Sequence, residues 1–507
     1  MAGTVFYAHV ICLLIVCGLH AKPVTYDYDL VVIGAGASGL VAAIAAAEKV
    51  KRVAIIEKED RIGGSHTWTG DIPSKTLINL ANMSHELVTA NKFGLCDTRN
   101  VHVNSSHVLP YIRSVCQKVY DIHSPDFFIC SEIKVIHGVA QFVDSHTIRI
   151  DGTDQITADK FIIATGSTPK IPPVAGIKSI KYLTADTFFS RDTLPLSMII
   201  VGAGPLGTEI AAALNRLGVK VTLIMKYGVI LPTFDFELVE LLMAILHDEG
   251  VTIRCNVEAH EVEEQDDGTI VLHCVNKNGM RETYAADSLF LATNRRARVQ
   301  ELNLQAAGVE ITNRGITVNK YMQTTADNIF ACGDVVGQYI LSRVAYYQAR
   351  IAVQNATRQW WQSYKKTSYT DVAKVAFTQP MIASTGLTEQ EARKQYGSTI
   401  VIHRISYNYL SKALIDNKPT GMAKFVYDSN GILLGAHILG EQAGNLIDLL
   451  KVGKRLDIQL NAYSSHVYTS PSYLDLLWLA LEKYRAEFPP ATTTCVVCNT
   501  ILDWFAN

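Results

Sequence analysis

Tyr28-Asp29-Leu30-Val31-Val32-Ile33-Gly34-Ala35-Gly36-Ala37-Ser38-Gly39 is the stretch on which the fold turns. A β-branched apolar run ends in closely spaced glycines, and the alanine-rich stretch from Leu40 to Ala47 then reads as a helix. Strand, glycine turn and helix in this order bring free backbone N–H groups and the positive end of a helix dipole to one point, where a pyrophosphate can sit. The following strand, Arg52 to Glu57, ends in an acid suited to a ribose hydroxyl.

The pattern recurs. Met198 to Val201 leads into Gly202-Ala203-Gly204-Pro205-Leu206-Gly207, a helix from Thr208 to Leu217 and a strand from Val219 to Met225. Two dinucleotide sites are expected. Three further short apolar runs, beginning at Phe161, Leu289 and Ile329, read as buried strands leading into turns, the first at Thr165-Gly166 and the last at Gly333-Asp334. Glu57 lies 23 positions after Gly34, and the same count from Gly202 reaches Met225, followed by Lys226. With no acid there and a cation next to it, the second site leans to NADPH over NADH.

Composition bounds the rest. A chain of 507 residues is too long for one core, and 48% hydrophobic with 19% charged residues describes an ordinary α/β protein. A net charge of -2 with no basic run gives no electrostatic footprint for nucleic acid, so small molecules are the expected partners. Residues 1–21 hold an uncharged apolar run, Val10 to Leu19, and end at Ala21 before the first lysine, Lys22, as a signal peptide would. Export to a secreted, periplasmic or secretory-lumen location is expected, with membrane attachment the alternative if the segment stays uncleaved. Beyond it the cysteines are sparse, and only Cys495-Val496-Val497-Cys498 forms a close pair. Two cysteines leave a zinc site incomplete, so no metal site is assigned.

In motif order the chain resembles the class I pyridine nucleotide-disulfide oxidoreductases, akin to lipoamide dehydrogenases, mercuric reductases and soluble transhydrogenases. The resemblance implies two Rossmann-like domains and a C-terminal α+β dimerisation domain, hence a homodimer. It places an FAD domain at 25–175 and 299–360, a nicotinamide domain at 176–298, a dimerisation domain at 369–485 and a tail at 486–507. It implies FAD bound by Gly34, Gly36, Ser38, Gly39, Glu57, Gly64, Ser65, Lys75, Thr165, Gly166 and Asp334. NADPH or NADH would be bound by Gly202, Gly204, Gly207 and Lys226.

The chain departs from the family where its chemistry should lie. The segment Gly63-Gly64-Ser65-His66-Thr67-Trp68-Thr69-Gly70-Asp71-Ile72-Pro73-Ser74-Lys75 reads as the start of a helix and matches the redox segment, except that His66 and Asp71 stand where the family has two cysteines. The acid–base pair that serves those thiols is replaced too, by Ser470 and Asp475, with His466 nearby. Lys75 and Glu209 persist at positions that the family uses as an ion pair beside the flavin. Hydride transfer from NAD(P)H to flavin is therefore expected to be kept, carried by Lys75, Glu209, Asp71 and His66, with delivery to a non-thiol acceptor such as a quinone, dioxygen or a second nicotinamide. One alternative is a disulfide or metal-ion reductase using Cys495 and Cys498. Another is a non-catalytic extracytoplasmic flavin-binding protein.

Overall fold

Leu30, Val31 and Val32 are fully buried, as an unbroken apolar run requires of a central parallel strand. A computed structural model describes residues 25–95, 103–122, 132–370, 372–455 and 469–488. Residues 1–21, read as a signal peptide, His466 and the Cys495/Cys498 pair lie outside the described residues. Two compact units are built from interleaved segments.

The first unit comprises residues 1–62, 124–167 and 297–367. Its central strand, Tyr28–Ile33, runs parallel between Val53–Glu57 and Asp154–Ile163, with Val31 level with Ala54 and Phe161. Lys134–His137 extends the sheet beyond Val53–Glu57, and Ile329–Ala331 pairs with Asp154–Ile163, both in parallel. Thr147–Ile150 and Ala140–Phe142 continue it antiparallel. Helices Ala37–Ala47 and Ser342–Ala356 pack on one another, and Ala42, Ala46, Ala345 and Ala349 on them are buried.

The second unit comprises residues 63–123, 168–296 and 368–507. Its parallel sheet has the order Thr252–Cys255, Lys220–Met225, Ser197–Val201, Ser288–Leu291. A three-stranded antiparallel sheet, Val257–Glu264, Ile270–Asn276 and Arg281–Ala286, is inserted in sequence between Thr252–Cys255 and Ser288–Leu291. The last part is a five-stranded antiparallel sheet from Lys374 to Gly440, whose buried face packs on helices Ala443–Arg455 and Asp475–Glu487 around Phe425, Ile438, Leu446 and Leu476.

Packing divides the chain differently from the expected boundaries. Residues 63–122 fall within the segment assigned to the FAD domain, yet they group with the second unit. The reason is apolar: Leu77, Ile78 and Ala81 of helix Asp71–Ala90, and Leu109 and Ile112 of Ser105–Ile122, share a core with Ile210, Ala213 and Leu214 of helix Pro205–Arg216. Both dinucleotide-turn helices also start earlier than read from sequence, at Ala37 and Pro205, because Gly36 and Gly204 act as their N-caps.

Candidate active site

In the first unit the glycine turn admits no side chain at two points. Gly34 has φ +99°, and a Cβ there would lie 2.6 Å from the Ala164 carbonyl oxygen. At Gly39 it would lie 1.8 Å from the Gly34 oxygen. Gly36 caps the helix with no side-chain hydrogen bond, and no acid occupies the first turn, so the positive helix end stays available to an anion. Glu57, at the end of the neighbouring strand, is buried. One carboxylate oxygen accepts from the Ala35 N–H at 2.7 Å, and the other from the N–H groups of Lys58 (2.9 Å) and Glu59 (3.1 Å).

Asp334 is held by a 2.6 Å hydrogen bond from the Ser167 hydroxyl, and the Gly333 N–H donates to the buried Gln348 Oε1 at 2.8 Å. Gly333 closes on Ser38, whose Oγ would be 2.6 Å from an added Cβ. The Thr165 hydroxyl donates to the Arg298 carbonyl at 2.7 Å, and Gly166, at φ +71°, accepts the Arg298 N–H through its own carbonyl. An anion cradle beside an acid at the next strand's end fits the pyrophosphate and adenosine ribose of FAD. Ser167 was not read from sequence, since the residue it holds, Asp334, lies 167 positions away in the chain.

The second unit repeats the turn. A Cβ on Gly202 would meet the Ala292 oxygen at 2.4 Å, and one on Gly207 the Gly202 oxygen at 1.9 Å, whereas around Gly204 there is nothing within 4 Å. That open space lies at the N-cap of helix Pro205–Arg216, where a pyrophosphate would approach. Met225 is buried at the end of its strand, and the Lys226 ammonium is 2.6 Å from Glu258 Oε1. The hydrogen bond to Glu258 raises the Lys226 pKa above the ordinary lysine value.

Lys75 and Glu209 meet as expected. The Lys75 Nζ donates to Glu209 Oε2 at 2.6 Å, and Glu209 is 2% exposed. Its other oxygen accepts the Phe377 N–H at 2.8 Å, and the Lys75 ammonium lies 4.5 Å from the centre of the Phe377 ring. Phe377 thus clamps the lysine from a third segment.

His66 and Asp71 are also brought together. The segment forms two helices rather than one, Gly64–Trp68 and Asp71–Ala90. Gly64 and Ser65 open the first of them, and Lys75 lies in the second. Gly70, where a Cβ would come within 2.8 Å of the Ser65 oxygen, lets the chain bend between them. His66 Nδ1 then lies 2.9 Å from Asp71 Oδ2. An ionised carboxylate only accepts, so in this bond Nδ1 is the donor. Trp68 packs on Tyr120, with ring centres 5.3 Å apart.

The replaced acid–base pair has local work. Asp475 accepts the Ser472 N–H at 3.2 Å at the start of its helix, and Ser470 precedes Pro471 in the adjoining turn. Among the described residues the free cysteines are Cys116, Cys255, Cys274 and Cys332. Burial pushes the Cys116 thiol up to about 11 and those of Cys274 and Cys332 up to about 12, and it raises Cys255 as well. None of these is a thiolate at neutral pH. No group of three or more His, Cys, Asp or Glu suited to a metal occurs among the described residues.

Comparison with known proteins accounts for nearly the whole described chain. Residues 28–356 match the pyridine nucleotide-disulphide oxidoreductase family, and residues 372–480 match its dimerisation domain. The chain is 32% identical over 429 residues to a mercuric reductase of Bacillus cereus, covering 83% of this chain and 66% of that enzyme. It is 35% identical over 434 residues to a soluble pyridine nucleotide transhydrogenase of Colwellia psychrerythraea, covering 84% of this chain and 90% of the relative. Among solved structures it resembles the HOCl-induced flavoprotein disulfide reductase RclA of Escherichia coli, with a TM-score of 0.79, 25% identity, and coverage of 89% and 98% of the two chains. With both glycine turns, the Lys75–Glu209 pair and these matches in place, the chain belongs to the class I pyridine nucleotide-disulfide oxidoreductase family.

Proposed function

We propose that this chain is an FAD-dependent oxidoreductase that takes a hydride from NAD(P)H and delivers the electrons to an acceptor other than a disulfide: a quinone, dioxygen or a second nicotinamide dinucleotide. The family supports the FAD and NAD(P)H part of this reading. The acceptor rests on one observation, the hydrogen-bonded His66–Asp71 pair at the positions where the family carries its cysteines. The strongly raised thiols of the described cysteines favour it too.

FAD, when bound, supplies a two-electron carrier. Gly34, Gly36, Gly39, Glu57 and Asp334 would hold it, and Gly202, Gly204 and Gly207 would hold the nicotinamide dinucleotide. By the family resemblance Lys75 would supply positive charge to a reduced flavin, and Glu209 and Phe377 keep its ammonium in one place. A quinone must gain protons with its electrons, and the His66 imidazole, held by Asp71, is the general acid proposed to supply one. Self-association into a homodimer through the matched dimerisation domain, and export directed by residues 1–21, complete the proposal.

The test is to purify residues 22–507 with bound FAD, reduce the flavin anaerobically with NADH or NADPH, and follow re-oxidation by quinone, dioxygen, a nicotinamide analogue and a disulfide. Re-oxidation by quinone or nicotinamide supports the reading. A rate with disulfide alone, lost on Cys498→Ser, would overturn it in favour of the tail cysteines. No bleaching by either nicotinamide would leave a flavin-binding protein without this activity.

A further inference from the structure

In a doubly wound sheet the strand that follows the glycine-turn helix ends beside the adenosine ribose, and the residues there choose between a 2′-hydroxyl and a 2′-phosphate. In the second unit that strand ends at Met225, an apolar, buried residue that can bond neither. The acid comes from elsewhere. Thr252–Cys255 runs parallel to Lys220–Met225 with Cys255 level with Met225, and the chain then turns through Asn256 at φ +57° into Val257–Glu264. This turn brings Glu258 back against Lys226, with 2.6 Å between Oε1 and Nζ.

We propose that Glu258 is a specificity-determining residue that favours a ribose with a free 2′-hydroxyl, so that the chain prefers NADH to NADPH. The inference rests on the reading of the second glycine turn as a nicotinamide dinucleotide site, and it reverses the preference drawn from Lys226 alone. Counting along the sequence finds a cation and no acid. In space the cation is already neutralised.

With Oε1 on the lysine, the Glu258 carboxylate keeps acceptor capacity for ribose hydroxyls. A 2′-phosphate, carrying a charge of about −2, would instead meet a carboxylate and would have to displace it from Lys226.

Binding of NAD+ and NADP+ to the FAD-loaded full chain, measured by isothermal titration, tests this without turnover. The wild type should bind NAD+ more tightly. Glu258→Gln should shift the ratio of the two dissociation constants toward NADP+ by about tenfold, and adding Lys226→Gln to that variant should remove the gain. Glu258 and Lys226 are both surface residues, about half exposed, and a thermal melt checks that the variants stay folded. A ratio unchanged to within about twofold in Glu258→Gln, or a wild type that already prefers NADP+, overturns the proposal while leaving the dinucleotide site standing. If the wild type binds neither nucleotide, the reading of the site fails and the proposal fails with it.

Discussion

Glu209 binds Lys75 with one carboxylate oxygen, at 2.6 Å, and the backbone of Phe377 with the other, at 2.8 Å. A single buried acid therefore fixes both the charge and the aromatic ring that covers it. Lys75 is about one-third exposed, so the pair serves to position the ammonium more than to stabilise the fold.

Glu209→Gln keeps the shape and an acceptor for the Phe377 N–H but removes the charge that holds the lysine. Flavin reduction by the preferred nicotinamide should slow by roughly 10- to 100-fold, read as anaerobic bleaching in a stopped-flow instrument. Glu209→Ala should in addition lose about 2 kcal/mol of stability in urea, because the Phe377 N–H is left without its acceptor. An unchanged bleaching rate in Glu209→Gln would remove the pair from the hydride step.

His66→Ala and Asp71→Asn should separate the two half-reactions. Bleaching by NAD(P)H should stay within about threefold of the wild type, while re-oxidation by a quinone slows by roughly 100-fold in His66→Ala and less in Asp71→Asn, where the imidazole remains but faces an uncharged amide. Equal slowing of both half-reactions would point to disturbed flavin binding rather than proton delivery.

The two dinucleotide turns were legible because each is local: strand, glycines and helix lie within a short window, and their spacing encodes the chemistry. His66, Asp71, Lys75 and Glu209 were legible as candidates for the same reason, each falling within a motif. What sequence could not supply was the pairing of distant segments. Ser167 reaches Asp334, Phe377 covers Lys75, and Glu258 meets Lys226 only through tertiary packing. The bend at Gly70 is an intermediate case, since the glycine is visible in sequence but its closeness to the Ser65 carbonyl is not.

Gly204 and Gly207 give opposite expectations from the same motif. At Gly207 a methyl group would collide with the Gly202 carbonyl, so Gly207→Ala should lower stability and yield little folded protein. At Gly204 the space is empty and φ is −72°, so Gly204→Ala should melt within about 2 °C of the wild type yet bind dinucleotide at least about tenfold more weakly, because the methyl group occupies the approach to the helix end. Unimpaired nucleotide binding by folded Gly204→Ala would place the pyrophosphate elsewhere.

Lys424 is 2% exposed and lies 2.8 Å from Asp235, 2.6 Å from Glu237 and 2.8 Å from Glu389. Burial alone would raise the Glu389 carboxyl, but hydrogen bonds from Lys424 and Arg393, with the charges of Lys424 and Arg404, outweigh it and hold the group at about 2. Glu237 is lowered in the same way, against its own burial, by Arg404 and Lys424. A depressed carboxyl contributes stability above its unfolded value of about 4.3, and that contribution is lost as pH falls toward the folded value. Lys424→Met should therefore cost about 3 kcal/mol near pH 7, where it removes the buried cation shared by Asp235, Glu237 and Glu389 and leaves only Arg404 and Arg393 to serve the two glutamates. The gap between wild type and variant should shrink as pH falls from about 4.5 toward 2, because protonated carboxyls neither repel one another nor need the lysine. Urea unfolding of both proteins near pH 7 and near pH 3 measures the gap directly, and an equal gap at the two values would show that Lys424 acts through its packing rather than its charge.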